Sequence, residues 1–192
     1  MIGVVDQSFL EADLATGQLP CPVCAGVLRP WGHARTRRVR DLGQAMLTIT
    51  PRRARCADCG TTQVLLPGLC LPRRADSTAV IATALAASAT GTGYRRIAVA
   101  LGPPLSTVRR WVRSVPPVHA ARLRVGATRC LVRLDPDAIA ALAPARTRLG
   151  DALAALAATA SAARARVAPN APPWALFARF ADWQLLEGAR AG

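Results

Sequence analysis

The chain has 192 residues, 52% of them hydrophobic but only 4% aromatic, and its net charge is +14 with all 25 basic residues arginine. That length allows one ordinary domain or two small ones, and a core of alanine and leucine suits close-packed helices better than a broad β-sandwich. The N-terminus has no basic stretch before an apolar run, which excludes a secretory signal, and the alanine-rich run from Ala152 to Ala163 is too short and too weakly apolar to span a bilayer.

The expectation is therefore a soluble cytoplasmic protein with a polyanionic partner, nucleic acid before others. The charge is unevenly placed. Residues 1–20 hold three acids and no arginine, a balance of −3, and residues 21–75 hold ten arginines against two acids, a balance of +8. Residues 1–17, with Asp6, Glu11 and Asp13, read as an N-terminal tail.

Residues 18–72 contain Cys21, Cys24, Cys56 and Cys59 as two C-x-x-C pairs. Two intervening residues let one tight turn aim both sulfurs at one ion, and two such turns supply a tetrahedral zinc site. In a reducing compartment such pairs bind metal or do redox chemistry more often than they form disulfides, and no βαβ setting for a redox motif is seen. Four thiolates leave no open position for water, so the Zn2+ is structural. The 31 residues between the pairs read as two strand-like arms, "VLRPWGHARTRRVR" and "AMLTITPRRARC", joined by "DLGQ"; "TTQVLLP" adds a third strand. This is the layout of a zinc ribbon, with Gly60 placed where a knuckle needs positive φ. His33 reads as a polar loop residue, and Cys70 and Cys130, without close partners, as small buried hydrophobes.

Residues 73–115 predict three helices. The first starts at Asp76 or Ser77, either an able N-cap, and ends at "TGTG". The second runs from Tyr94 to Leu101, turns Ile97, Ala98 and Leu101 inward, and stops at Gly102. Pro103 and Pro104 follow, and Ser106 reads as the cap of the third. Val108, Trp111, Val112 and Val115 fall at i, i+3, i+4 and i+7, a buried stripe. The opposite side offers Ser106, Thr107, Arg109, Arg110 and Arg113, side chains suited to a major groove.

"GYRRIAVALGPPLSTVRRWVR" resembles the helix-turn-helix of insertion-sequence transposases, and an upstream zinc ribbon is similar to the front end of such enzymes. The combination, residues 18–115, resembles an uncharacterised bacterial family of zinc-ribbon plus helix-turn-helix proteins related to them. The resemblance implies groove-reading by Thr107, Arg109, Arg110 and Arg113 and backbone contacts by Arg95 and Arg96. The Pro-Pro turn departs from the pattern.

Residues 116–192 read as mainly helical. "PPVHAARLRVG" suggests a helix and "TRCLVRLDPDA" a short strand ending at Asp135 and Asp137. A long helix follows from about Pro144 to Val167, and a last one from Trp174 to Leu186, with Trp174 and Trp183 as core or edge aromatics. Asp135, Asp137, Asp151, Asp182 and Glu187 are the only acids after the three helices. The 57 residues after Asp135 are too few for the nuclease fold that would seat a metal-binding acidic triad, so no catalytic residue is assigned.

The sequence thus predicts an α+β fold and a non-enzymatic, nucleoid-associated protein that binds double-stranded DNA, with no membrane or small-molecule partner. A regulatory role and an oligomer are left open. The alternatives are a truncated transposase with residual metal-dependent nuclease activity, and a zinc-ribbon module binding RNA or protein.

Overall fold

The computed structural model describes residues 1–5 and 10–187. The fold is mixed α+β, with strands in the N-terminal part and helices after them. The strands are β1 (Ile2–Val4), β2 (Leu28–His33), β3 (Arg37–Arg40), β4 (Met46–Ile49), β5 (Arg52–Cys56) and β6 (Thr62–Pro67), with helix α1 (Leu10–Thr16) between the first two. One sheet has the order β1-β6-β5-β2, and β3 and β4 form a separate hairpin.

Both predicted arms are extended, and each breaks once. β2 pairs antiparallel with β5, and β3 with β4, so the two arms form one long hairpin interrupted at residues 34–36 and 50–51. The register already shifts between Pro30 and His33, and Pro51 withholds a ladder N–H. The "DLGQ" turn is a 3-10 turn, Leu42–Gln44, with Gly43 at φ 67. β6 is the predicted third strand. His33 ends β2 rather than lying in a loop, because it pairs with Arg52.

Residues 1–5 and 10–17 are more than a tail. β1 runs parallel to β6, with Ile2 opposite Leu65. The α1 helix buries Leu10 and Leu14 in one cluster with Leu28, Ala54, Cys56 and Leu65. Burial of two leucines, about 1.5–3 kcal/mol each, offsets the entropy of ordering this short helix. Glu11 adds a two-pronged contact to Arg52, 2.6 Å to Nε and 2.9 Å to Nη2. Asp6 lies outside the described residues.

Six further helices form the rest: α2 (Thr78–Ala89), α3 (Tyr94–Leu101), α4 (Leu105–Arg113), α5 (Pro117–Leu134), α7 (Arg148–Arg166) and α8 (Pro173–Phe180), with one turn, α6 (Asp137–Ala140), after α5. The main core lies among them and includes Ile81, Leu85, Ile97, Val108, Trp111, Leu123 and Leu156.

Two expectations for the C-terminal region are corrected. "TRCLVRL" is the second half of α5, not a strand. Ala120, Leu123, Ala127 and Leu131 are buried at spacings of three and four, a helical stripe that the local run of valine and leucine obscures. The last helix ends at Phe180 rather than Leu186, and Asp182 and Trp183 then take positive φ. Leu185 and Leu186 are fully buried from the irregular segment beyond it. The long helix begins later than expected, at Arg148, where Thr147 accepts from the Gly150 N–H at 3.0 Å. Trp174 and Trp183 are half-buried against the core, and no described helix is long and apolar enough to cross a membrane.

Candidate metal centre and nucleic-acid interface

The two C-x-x-C turns are built alike. The Ala25 N–H donates to the Cys21 carbonyl at 2.9 Å, and the Gly60 N–H donates to the Cys56 carbonyl at 3.2 Å. The residue after each second cysteine is left-handed, Ala25 at φ 60 and Gly60 at φ 70. Such turns point both sulfurs of a pair the same way. Cys21 and Cys56 are buried and anchor the site to the sheet, while Cys24 and Cys59 face solvent.

All four Sγ atoms lie within 4.8 Å of one another, and they are the one such group of three or more potential ligands among the described residues. Cys21 and Cys59 stand 3.7 Å apart, and Cys24 and Cys56 stand 3.5 Å apart. These separations are far beyond a disulfide's ~2.05 Å. A tetrahedron with metal–sulfur bonds of ~2.3 Å has edges of ~3.8 Å, so the cluster is of a size to close on one metal ion.

The free thiols divide their protons unequally. The Thr61 hydroxyl and N–H, then Cys24, lower Cys59 to about 6. Cys24 is pushed up to about 12: a hydrogen bond from the Gly26 backbone lowers it, but the sharing of its proton with Cys59 and Cys56 outweighs that. Cys70 is not part of the cluster. It is fully buried with Val39 and Leu66, between the β3–β4 hairpin and β6, and burial raises its thiol to about 11 against the opposing pull of Arg37. Cys130 is half-buried on α5.

Helices α2, α3 and α4 pack on one another through Ile81, Leu85, Ile97, Val108 and Trp111. Ser77 caps α2, its Oγ accepting from the Val80 N–H at 3.1 Å. Gly102 ends α3 at φ 90, and its N–H donates to the Ala98 carbonyl at 2.8 Å. One capping detail differs from expectation. The residue before α4 is Pro104, whose carbonyl accepts from the Thr107 and Val108 N–H groups, and Ser106 sits inside the first turn. Proline's fixed φ starts the helix without a side-chain cap.

The predicted stripe is present, with Val108 and Trp111 buried, Val115 nearly so and Val112 partly. Ser106, Arg109, Arg110 and Arg113 are exposed and, with Ser114, line one shallow groove. Thr107 is half-buried beside it. Arg95 and Arg96 are exposed on α3, outside the groove. Among the described residues none of these five arginines forms an ion pair; the pairs present involve Arg40, Arg52, Arg124 and Arg166.

Some features near these sites were not anticipated. Burial lowers the pKa of the Arg74 guanidinium, in the loop before α2, and the positive charge of Arg110 adds to that shift. Trp31 is half-exposed on β2, and the Arg55 guanidinium stacks 4.8 Å from its ring centre. Period-two alternation of Arg53 and Arg55 with Ala54 and Cys56 in β5 was the available signal for that basic sheet face. No sequence signal places Arg74 beside α4.

The carboxylates after α4 do not cluster. Asp135 lies 3.3 Å from Arg166 Nη2, and Asp151 accepts from the Ala145 N–H at 2.8 Å and lies 3.8 Å from Arg124.

The fold and sites define an α+β protein whose four-cysteine cluster is sized for a metal ion and whose compact three-helix unit is rich in unpaired arginine. Residues 21–111, just under half of the chain, match a family model described as a domain of unknown function (DUF6431). The matched stretch begins at the first cysteine and ends at Trp111, inside α4. No curated protein and no solved structure matches the chain.

Proposed function

We propose that the protein is a non-enzymatic binder of double-stranded DNA. In this reading Cys21, Cys24, Cys56 and Cys59 hold one structural Zn2+ in a zinc ribbon. The ion supplies a cross-link between two parts of a sheet too small to stabilise itself. Helices α3 and α4 form a helix-turn-helix, α4 enters the major groove, and Arg95 and Arg96 hold phosphates. A kinship with the DNA-binding part of transposases, a regulatory role and a nucleoid location are parts of the same proposal.

The observation that carries the reading is the two-sidedness of α4. Its valine and tryptophan stripe is consumed by the core, yet Arg109, Arg110 and Arg113 face solvent without an acidic partner among the described residues. Three guanidinium groups, unpaired among the described residues, on about one helical turn repel one another, and a polyanion removes that cost.

Selection of duplexes from a randomised DNA pool by the zinc-loaded protein tests the reading. An enriched motif that Arg110→Ala no longer enriches supports base readout by α4. Absence of duplex binding near physiological salt removes the proposal. One observation favours a second reading as an RNA-binding ribbon: Trp31, exposed beside Arg55, is a surface on which an unpaired base can stack. Competition with structured RNA separates the two.

A further inference from the structure

The β3–β4 hairpin has no part in the sites described above. Its inner face is used in packing, with Val39 fully buried against Leu66 and Cys70. Its outer face sets Arg38 opposite Thr48 and Arg40 opposite Met46. The turn exposes two apolar side chains, Leu42 and Met46.

The hairpin is fixed in place. The Arg40 N–H donates to the Ala75 carbonyl, and the Arg40 carbonyl accepts from the Ser77 N–H, both at 2.8 Å. Arg40 also pairs with Asp76 at 2.9 Å, and Ser77 Oγ donates to Asp41 at 2.7 Å. At this same turn end of the hairpin, a Cβ on Gly102 would stand 3.4 Å from Gln44 Cγ and 3.5 Å from Arg40 Cδ. Gly102 is in the turn between α3 and α4, so the hairpin tip lies beside the N-terminal end of α4. That is the end a recognition helix directs at base edges.

Arg74 lies in the loop that Arg40 hydrogen-bonds, and the positive charge of Arg110 on α4 reaches it. Its Nε is buried without a hydrogen-bond partner among the described residues. A guanidinium with an unsatisfied N–H in the field of a second positive charge is an arrangement that an anion completes.

We propose that the β3–β4 hairpin is a second DNA-contacting arm. Arg38 and Arg74 hold backbone phosphates flanking the groove that α4 enters, and Leu42 and Met46 lie against the sugars of the adjacent minor groove. This rests on the reading of α4 as a DNA-contacting helix. The minor groove suits the tip because apolar side chains on architectural proteins engage that groove. A nucleic-acid backbone suits Arg38 and Arg74 because both are arginines without an acidic partner among the described residues.

The test uses full-length zinc-loaded protein and fluorescein-labelled random-sequence duplexes, one of about three helical turns and one of about one turn. Affinity is measured by anisotropy against salt. On the long duplex Arg38→Ala lowers the log–log salt slope by ~0.9, and Arg38→Ala with Arg74→Ala lowers it by ~1.8. On the short duplex, which α4 alone fills, Arg38→Ala matches the wild type. Arg109→Ala lowers the slope on both. Arg38 is exposed, so its variant keeps the test independent of any folding defect from the partly buried Arg74. A wild-type slope for Arg38→Ala on the long duplex, with the Arg109→Ala loss intact, overturns the second arm while leaving α4 as the reader. Wild-type slopes for Arg109→Ala and Arg38→Ala together overturn both readings. A loss seen only with an acidic peptide, and not with DNA, assigns the hairpin to a protein partner and also overturns the proposal.

Discussion

Arg40 Nη1 and Asp76 Oδ1 meet at 2.9 Å across the joint between the β3–β4 hairpin and the start of α2. The Asp76 side chain is 10% exposed and that of Arg40 is 30% exposed. Burial raises the Asp76 carboxyl above its ordinary 3.8, and Arg40 opposes that rise. For a carboxylate raised on folding, the favourable contribution is complete below the unfolded-state value and is lost as pH rises through the folded-state value. Ionised Asp76 is therefore a cost that Arg40 limits. Arg40→Ala is expected to destabilise by ~1–3 kcal/mol at neutral pH by leaving a buried charge unpaired, and by less toward acid, where Asp76 takes up a proton. Denaturant unfolding of variant and wild type at neutral pH, and at the lowest pH the metal-loaded protein tolerates, measures this. A penalty that grows toward acid contradicts the assignment.

The cysteine cluster predicts a stoichiometry. Cys59→Ser removes an exposed thiol whose sulfur is 3.7 Å from Cys21. Bound zinc is expected to fall from about one per chain to near zero, since four-thiolate sites lose most of their affinity with one ligand. Chelation of the wild type should have the same effect on the sheet. Atomic absorption with far-ultraviolet circular dichroism reports both. Full zinc occupancy in Cys59→Ser would mean that the four sulfurs are not a single site.

The cysteine spacing and two of the three predicted caps were legible because they act locally, whereas Ser106 lies inside the first turn of α4. Two residues between cysteines, Ser77 before α2 and Gly102 after α3 each determine geometry within a few positions. The α4 stripe was legible because Val108, Trp111, Val112 and Val115 repeat at helical spacing. The failures have other causes. β1 is three residues long, and its partner β6 is more than 60 residues away, so nothing local announces it. In α5, Leu131, Val132 and their neighbours look strand-like, and only packing against α7 shows that Ala127 and Leu131 continue the buried helical face. The buried, unpartnered Nε of Arg74 arises from tertiary packing alone.

The α1 helix offers a modest test of the N-terminal correction. The Arg52 guanidinium, hydrogen-bonded to Glu11, lowers that carboxyl below its ordinary 4.5. A depressed carboxylate contributes stability above the unfolded-state value and loses it as pH falls through the folded-state value. Glu11 is almost fully solvated, so the pair is screened, and Glu11→Gln should cost well under ~1 kcal/mol. Its clearer effect should be faster hydrogen exchange in α1, with exchange in α4 unchanged. Leu14→Ala, at a fully buried site, should cost ~2–5 kcal/mol. If α1 exchanges at the unfolded rate in the wild type, the N-terminal segment is the tail that its sequence suggests.

The two faces of α4 should separate stability from binding. Trp111→Ala deletes a side chain that is 1% exposed and should cost ~3–5 kcal/mol. Its loss of DNA affinity should follow the loss of fold and disappear when binding is corrected for the folded fraction. Arg110→Ala removes an exposed side chain that repels Arg74. It should leave stability unchanged within ~0.5 kcal/mol or raise it slightly. At a selected site the same change should weaken binding by ~1–3 kcal/mol if the guanidinium reads a base, and specificity should relax at one position. A uniform loss on every duplex, with a salt slope smaller by ~0.9, makes Arg110 a phosphate contact instead. Thermal unfolding and anisotropy on the same preparations measure both quantities. If Arg110→Ala loses stability as Trp111→Ala does, the arginine supports the fold and α4 has no free face to offer DNA.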